Sequence, residues 1–173
     1  MDMELELLTD QAVMRYVREG VSAEQVTHWL PTMVTRCAHG CIGIWCVIDR
    51  ATHEKLGHAV LLPLPIEETD TDWDLVTGDD VPDAEIEVGY LFKPSAWGKG
   101  YATEACKRLL KFGFEDAPLQ EIVAVTHPDN TASQHVLRKA GMDDEGMRRA
   151  YAAHCPGFRM TRAQWRDMSR AAG

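Results

Sequence analysis

The sequence predicts an α/β domain, because runs with strand periodicity alternate with runs that carry an apolar helical face. Residues 86–92 resemble a strand and lead, through a loop with two glycines, into a helix whose apolar residues recur every three or four positions. An apolar run at 121–126 then precedes a turn and a second amphipathic helix at 131–140. A chain of 173 residues is long enough for one proper core, so we expect a single domain over residues 1–173.

Capping patterns predict the first helices, and apolar runs predict the first strands. Asp10 precedes one helix, which Gly20 ends, and Ser22 with Gln25 has the spacing of a capping box for the next, which Pro31 interrupts. The segment 65–83 is rich in acidic residues and is long for a connection, which is typical of functional or mobile loops. The helices predicted in this half cover residues 11–18 and 23–30, and the strands cover residues 4–8, 41–48, 56–64 and 84–92.

Turn residues delimit the second half of the chain in the same way. Pro118 separates the helix that ends near residue 115 from the strand at 121–126. Asn130 caps the next helix and Gly141 ends it. Two further strands are predicted near residues 145–153 and 157–160, followed by a short tail helix that Thr161 and Gln164 would cap.

Composition argues against several classes of protein. A net charge of −9 argues against nucleic-acid binding as the main role. No apolar run approaches the roughly 20 residues that cross a bilayer, and the first residues lack the basic and apolar regions of a signal peptide. Five cysteines, an odd number, predict reduced thiols in a cytoplasmic protein. Cys37, Cys41 and Cys46 are too few and too irregular for a zinc site on their own; His39 or His53 could complete one, but buried or idle thiols are the favoured interpretation, and we expect no metal.

The loop between residues 93 and 101 has the features of an anion site. Gly98 and Gly100 lack Cβ atoms, so an anion can approach their amides closely, and positive φ angles cost little there. The first turn of the following helix adds free N–H groups and the positive end of the helix dipole. We therefore expect the loop to hold a phosphate or diphosphate. The alternative is a turning loop with a solvated Lys99.

Two common phosphate motifs do not fit this loop. A Walker P-loop requires Ser or Thr after Gly-Lys, but Gly100 follows Lys99 and Lys93 occupies the first glycine position. The dinucleotide fingerprint requires a third small residue at Thr103 and a tight turn directly after the strand. A nucleotide-binding protein of either kind is therefore disfavoured.

Three segments in order resemble one family. They are Glu87-Val-Gly-Tyr-Leu-Phe, Trp97-Gly-Lys-Gly-Tyr-Ala-Thr-Glu-Ala, and Asn130-Thr-Ala-Ser-Gln-His-Val-Leu-Arg-Lys-Ala-Gly-Met. Together they resemble the GCN5-related N-acetyltransferases (GNAT), and within them the ribosomal-protein N-acetyltransferase branch. The match covers residues 86–146; before residue 84 only the order of elements agrees.

The resemblance implies a fold and a cosubstrate. The fold is a GNAT-like mixed, mostly antiparallel sheet of six or seven strands with helices on both faces. Acetyl-CoA, or another acyl-CoA, would lie where the fourth and fifth strands splay apart. The resemblance implies a cofactor-binding set on the strand edge, the glycine loop and the following helix: Tyr90, Leu91, Phe92, Trp97, Gly98, Lys99, Gly100, Tyr101, Ala102, Asn130 and Ser133. Trp97 stands where the family pattern has Arg or Gln, which leaves backbone amides and Lys99 as phosphate donors.

Acetyl transfer to an amine needs a base, a polarised thioester carbonyl and a donor to the departing thiolate. Glu87 resembles the family's acidic residue on this strand and is the first candidate base, directly or through water. Glu85, on the same face, is the second. The family's carbonyl donor is a backbone N–H near Leu91. Leu137 replaces the tyrosine that many relatives use as the acid, so Ser133, which the ribosomal branch carries, is the candidate donor to the thiolate.

The acceptor is the least determined part of the reaction. Acidic residues of the segment 65–83, with Trp73, would favour a cationic amine: a basic peptide N-terminus, a polyamine or an aminoglycoside. We predict an N-acetyltransferase that acts by direct transfer in a ternary complex on a small-molecule amine or a peptide N-terminus, with a homodimer left open. The alternative is a non-catalytic acyl-CoA sensor or interaction module. Cys106 lies on the apolar helix face, which argues against an acyl-cysteine intermediate.

Overall fold

A mixed six-stranded sheet forms the centre of the fold. The computed structural model describes residues 2–18 and 20–171. The strands lie in the order β1-β2-β3-β4-β6-β5, and every neighbouring pair is antiparallel except β3 and β4, which are parallel. The strand bounds are β1 Gly43–Ile48, β2 Lys55–Pro63, β3 Ile86–Phe92, β4 Glu121–Val125, β5 Asp143–Ala150 and β6 Ala153–Thr161. The strands that the sequence predicts at 41–48, 56–64, 84–92 and 121–126 are confirmed to within two residues.

Helices cover both faces of the sheet. Leu91 of β3 packs on one face against side chains of the first three helices. On the other face, Ile122 of β4 and Leu110 of the fourth helix share the main core. The helix bounds are α1 Asp2–Thr9, α2 Gln11–Met14, α3 Ala23–Met33, α4 Tyr101–Glu115, α5 Thr131–Ala140 and α6 Arg162–Ala171. The mixed α/β fold with helices on both faces is thus confirmed, with six strands.

The strand predicted at residues 4–8 is wrong, because α1 occupies this stretch. Met3 and Leu7 are buried four residues apart, which is helical spacing. The carboxylate of Glu4 lies 2.8 Å from Nδ1 of buried His58, and Glu6 pairs with Lys93 at 2.6 Å. In the helix, the apolar residues of this alternating stretch therefore face the sheet, and its acidic residues lie at the edge of that face.

The N-terminal caps are confirmed, but the helix lengths differ from the prediction. Asp10 accepts hydrogen bonds from the Ala12 and Val13 amides, yet α2 spans a single turn. Ser22 and Gln25 form the predicted capping box. Pro31 does not interrupt α3, which continues to Met33. A proline lacks one ladder donor, and the helix ends only two residues beyond it, so little of the ladder is lost.

The two central strands separate toward their carboxyl ends. The pairing of β3 with β4 is restricted to Glu87 opposite Val123. Beyond this point β4 pairs with β6, up to Val125 opposite Gly157, and β3 pairs only with β2. Within residues 2–18 and 20–171, the second half of β3 therefore has one edge without a neighbouring strand, as the family resemblance implies.

The β5–β6 hairpin forms the other edge of the sheet. β5 and β6 run antiparallel and are joined at Tyr151 and Ala152. The two strands predicted near residues 145–153 and 157–160 therefore exist with other bounds, because the turn falls inside the first predicted stretch and β6 begins at Ala153. The helix predicted after Thr161 is α6, and the Thr161 and Gln164 side chains bond each other's backbone amides as a capping box does. Trp165 of α6 stacks on Phe114 of α4 at 6.0 Å, so α6 extends the layer of α4 and α5.

Candidate active site

The glycine loop has the backbone geometry of an anion site. Gly98 and Gly100 have φ angles of +71° and +90°, and a Cβ atom added at either would meet no atom within 4 Å. Gly100 is the N-cap of α4, and the first helical hydrogen bond runs from the Glu104 amide to the Gly100 carbonyl. The amides of Tyr101, Ala102 and Thr103 therefore precede the ladder and face open space. This arrangement fits a diphosphate.

Side chains around the glycine loop hold it in place and leave its backbone amides available to an anion. The Trp97 indole Nε1 donates to the Phe92 carbonyl at 2.7 Å, so this side chain closes the loop onto the end of β3. The Tyr101 hydroxyl donates to Asp49 in the turn between β1 and β2. This hydrogen bond is the main reason that the pKa of Asp49 is lowered to about 2. Lys99 is exposed and remains the basic side chain nearest the expected diphosphate.

The free edge of β3 presents the backbone groups of alternate residues. Leu64 donates to Glu85 and Lys93 donates to Leu56, both toward β2, and the register between these bonds is unbroken. Hydrogen-bonding direction alternates along a strand, so Leu91 also faces β2, while Tyr90 and Phe92 face the splay. This placement leaves the amides of Tyr90 and Phe92, on either side of Leu91, as the candidates for the donor to the acyl carbonyl. The edge that would meet the pantetheine amides is where the resemblance implies it.

The start of α5 lies against the same cleft. The Asn130 side chain accepts from the Ser133 amide at 3.1 Å, so Asn130 caps the helix. The Ser133 hydroxyl lies 3.0 Å from the Tyr90 hydroxyl, which also donates to the Ser133 carbonyl at 3.2 Å. Burial is the main cause of the raised pKa of Tyr90, so this phenol stays protonated. Leu137, at the usual tyrosine position, is fully buried in the core.

Glu87 is a buried carboxyl at the point where β3 and β4 separate. Only 6% of the residue is exposed. Burial raises the pKa of the carboxyl to about 7, opposed by a hydrogen bond from the Tyr151 hydroxyl and by the nearby Arg148 guanidinium. The carboxyl can therefore exchange a proton near neutral pH, as a general base must.

Glu85 lies on the same face as Glu87 but is engaged by arginines. Arg148 and Arg159 both bind its carboxylate, Arg159 at 3.2 Å. Arg159 also pairs with Glu121 and Glu145, so this end of the sheet carries a network of alternating charges. The interactions of Glu85 are those of a structural ion pair, whereas Glu87 lacks a salt-bridge partner among the residues described here.

Tyr151 is the site residue that sequence reasoning missed. Its hydroxyl donates to Glu87 from the turn between β5 and β6, 64 residues further along the chain. A tyrosine in a predicted strand gives no local signal of such a contact. Only the sheet order, which brings the β5–β6 hairpin next to the splay, shows it.

The acidic segment 65–83 is less free to attract cations than its composition suggests. Glu67 pairs with Arg149 at 2.7 Å, and Asp70 pairs with Arg18 at 2.9 Å. Trp73, within a short 3₁₀ turn at Trp73–Leu75, packs against the main core. Two carboxylates of the segment are thus already neutralised, and Trp73 is only partly available to an acceptor.

A second concave region lies away from this chemistry. A groove of about 600 Å³ runs between β1 and α4, and its lining includes Trp45, Asp49, Arg108 and Phe112. Glu87, Ser133 and Tyr151 are absent from its lining. The groove therefore lacks the candidate catalytic residues. Within the described residues, no helix combines the length and the apolar character needed to cross a bilayer.

Comparison with known proteins agrees with this geometry. A family model described as an acetyltransferase (GNAT) domain matches residues 1–143. The uncharacterized N-acetyltransferase YnaD of Bacillus subtilis (strain 168) is 30% identical over 141 residues, which cover 82% of this chain and 72% of YnaD. These matches are to the family as a whole, so the ribosomal-protein branch stays a prediction.

Solved acetyltransferase structures share the fold. The aminoglycoside acetyltransferase AAC(6')-Ib in complex with coenzyme A has a TM-score of 0.72 at 17% identity, with 97% of this chain and 92% of that chain covered. The spermidine N-acetyltransferase from Vibrio cholerae, in complex with CoA and spermine, has a TM-score of 0.67 at 16% identity, with 93% and 89% covered. Because the family model spans most of its length, this chain belongs to the GNAT acetyltransferases, acyl-CoA-dependent enzymes that acetylate amines with acetyl-CoA as cosubstrate.

Proposed function

We propose that this enzyme acetylates the primary amine of a small molecule by direct transfer within a ternary complex. The observation that carries the proposal is the position of Glu87: a buried carboxyl with a pKa near 7 at the splay, on the strand that leads into the glycine loop. Acetyl-CoA would supply the acetyl group as a thioester. Gly98, Gly100 and the first amides of α4 would hold its diphosphate.

Deprotonation of the acceptor is the role of Glu87. An alkyl amine has a pKa near 10.4, so about one molecule in a thousand or fewer is neutral at pH 7. A carboxylate with a pKa near neutrality is basic enough to accept the proton and is largely ionised above pH 7. Glu87 would take the proton directly or through a water molecule, and the nitrogen would then be free to attack.

Backbone and hydroxyl donors would stabilise the remaining charges. The amides of Tyr90 and Phe92 face the splay and are placed to polarise an acyl carbonyl. The Ser133 hydroxyl would donate to the departing thiolate while it accepts a hydrogen bond from the Tyr90 hydroxyl, which lies 3.0 Å away. Cys106 is fully buried, and burial raises the pKa of its thiol to about 12, which supports transfer without an acyl-cysteine.

The charge distribution favours a small amine over a polycationic chain. The carboxylates of Glu67 and Asp70 are paired with Arg149 and Arg18, and Arg148 lies close to Glu87. A highly cationic acceptor would have to displace these arginines. A peptide N-terminus is the second candidate, because it too presents a single amine.

A thiol-release screen tests the function. The purified protein is mixed with acetyl-CoA and a panel of monoamines, polyamines, aminoglycosides and peptides, and free CoA is measured. We expect release with at least one amine, accompanied by a mass increase of the acceptor that matches one acetyl group. CoA binding without release across the whole panel would favour the acyl-CoA sensor instead.

Removal of the Ser133 hydroxyl is expected to slow the reaction modestly. A single hydrogen bond to a charged group contributes about 1.5–3 kcal/mol, so Ser133→Ala should lower kcat roughly tenfold or more with little change in the KM for the amine. Steady-state kinetics at saturating acetyl-CoA provide the measurement. Ser169→Ala, on the exposed face of α6, is the matched control. An unchanged kcat in Ser133→Ala would exclude the hydroxyl as the donor to sulfur.

A further inference from the structure

The carboxyl of Glu87 meets one hydrogen-bond donor from a distant part of the chain. The Tyr151 hydroxyl donates to Glu87 Oε1. Among the described residues, no hydrogen bond uses Oε2, and this oxygen is not among the buried atoms that lack a partner. One oxygen of the carboxyl is therefore held by the protein, and the other stays available to a proton from the acceptor.

The position of Tyr151 is itself fixed by several contacts. Tyr151 and Ala152 have φ angles of 51° and 55°, a left-handed conformation that is strained for residues with a Cβ atom. Their amides donate to the carbonyls of Pro65 and Ile66 at 2.9 and 3.0 Å. Arg149, two residues earlier, pairs with Glu67 in the same segment. Such a turn persists when its surroundings over-determine it, and here they aim the phenol at Glu87.

The charged and titratable groups around the pair come from three parts of the chain. Arg148 of β5 lies near Glu87 and lowers its pKa, while it also binds Glu85. Burial, followed by the charge of Glu87, raises the pKa of the Cys155 thiol of β6, which keeps it neutral. Asp70, from the segment 65–83, lies near the phenol. Burial, followed by the charge of Glu87, raises the pKa of Tyr151, so the phenol remains a donor.

We propose that Tyr151 is a positioning residue for the acetyl transfer: by donating to Oε1 it orients the Glu87 carboxyl and presents Oε2 to the acceptor amine. The proposal rests on Glu87 as the base of the proposed reaction. It adds that the β5–β6 turn and the segment 65–83, which hold the phenol, control the orientation and the protonation of the Glu87 carboxyl.

The phenol also favours the ionised form of Glu87. A hydrogen bond donated to a carboxylate stabilises its charge and opposes the effect of burial. Removal of the hydroxyl therefore raises the pKa of Glu87 further. A bond to a charged group is equivalent to roughly one to two pKa units, so the acid limb of the rate profile should move by that amount to higher pH.

The test is the pH profile of Tyr151→Phe, which retains the ring and loses only the hydroxyl. With an amine that the wild-type enzyme acetylates, we expect kcat at pH 7 to fall about tenfold and to recover most of this loss by pH 9. In a Glu87→Gln background, Tyr151→Phe should have little further effect, because the two residues act as a unit. A loss of kcat by the same factor at every pH would overturn the proposal. So would pH profiles of wild type and Tyr151→Phe that coincide.

A second readout does not depend on turnover. With carboxyl-labelled glutamate, the Glu87 signal is assigned by its loss in Glu87→Gln and is titrated by NMR in wild type and in Tyr151→Phe. We expect the midpoint to rise by about one to two pH units in the variant. An unchanged midpoint would overturn the proposal even if no acceptor had been found, whereas a shifted midpoint without any acetylated amine would count against the proposed reaction and not against the pair.

Discussion

Replacement of Glu87 by glutamine is expected to lower kcat about a hundredfold or more and to leave the affinity for acetyl-CoA nearly unchanged. General-base catalysis contributes about 10²–10⁴ in rate, and glutamine cannot accept the proton of an amine. It keeps an oxygen that accepts the Tyr151 hydrogen bond, so the site should retain its shape. Steady-state kinetics and calorimetry with CoA measure the two quantities separately.

Glu85→Gln is the matched control for this prediction. Glu87 lies on β3 and Glu85 lies two residues earlier, so the two carboxylates are on the same face. Glu85, however, is bound by Arg148 and Arg159. We expect Glu85→Gln to reduce stability more than rate, because an arginine loses its partner. If Glu87→Gln kept the wild-type kcat, or if Glu85→Gln lowered kcat by the same factor, Glu87 would not be the base.

The buried carboxyl should also leave a signature in stability. A raised folded-state pKa means that the folded protein binds more protons than the unfolded chain between pH 4.5 and about 7. Stability from this group is therefore present below pH 4.5 and is lost as pH rises through 7. Glu87→Gln has no such loss, so its stability relative to wild type should rise by about 3 kcal/mol between pH 4.5 and pH 8. Urea denaturation of both proteins at the two pH values measures this change. If the free energy of unfolding differed between them by the same amount at both pH values, the raised pKa of Glu87 would be contradicted.

Gly100→Asp is expected to weaken CoA binding about a hundredfold or more. The φ angle of +90° costs a residue with a Cβ atom roughly 1–2 kcal/mol. The added carboxylate would also lie at the start of α4, where the diphosphate is expected, and would repel it. Isothermal titration calorimetry with CoA measures the dissociation constant directly.

Gly78→Asp separates the two causes of this effect. Gly78 has a φ of +76° and the same open surroundings, but it lies in the segment 65–83. Its replacement should introduce comparable backbone strain and leave the dissociation constant of CoA close to that of wild type. If both variants bound CoA as wild type does, the glycine loop would not be the diphosphate site.

Most of the candidate cosubstrate site could be predicted from the sequence, because it is made from contiguous segments. The loop at 97–102 follows directly from β3, and its glycines carry the positive φ angles that their lack of Cβ atoms permits. Asn130 and Ser133 lie in one helical turn, so their relation is also local. The family resemblance added the splay of the strands, which the pairing of Glu87 with Val123 alone confirms.

The prediction at residues 4–8 was wrong because the local pattern was ambiguous, and the direction of the β3 amides could not be predicted at all. Alternation over residues 4–8 fits a strand, yet Met3 and Leu7 also have helical spacing, and the packing of α1 on the sheet decides between them. The amide of Leu91 faces β2 because the register with β2 fixes the direction of every bond along β3. A one-residue difference in register would have reversed that direction, and no pattern within β3 itself indicates it.

The sequence by itself determined the chemistry of the loop and the order of most strands and helices, since glycines, caps and apolar spacing act over a few residues. Only the tertiary structure decided which carboxyl is free to act. Glu85 and Glu87 are equivalent by position, but the arginines of β5 and β6 bind one and the phenol of Tyr151 binds the other. Those partners come from 60 or more residues away, and the sheet order brings them together.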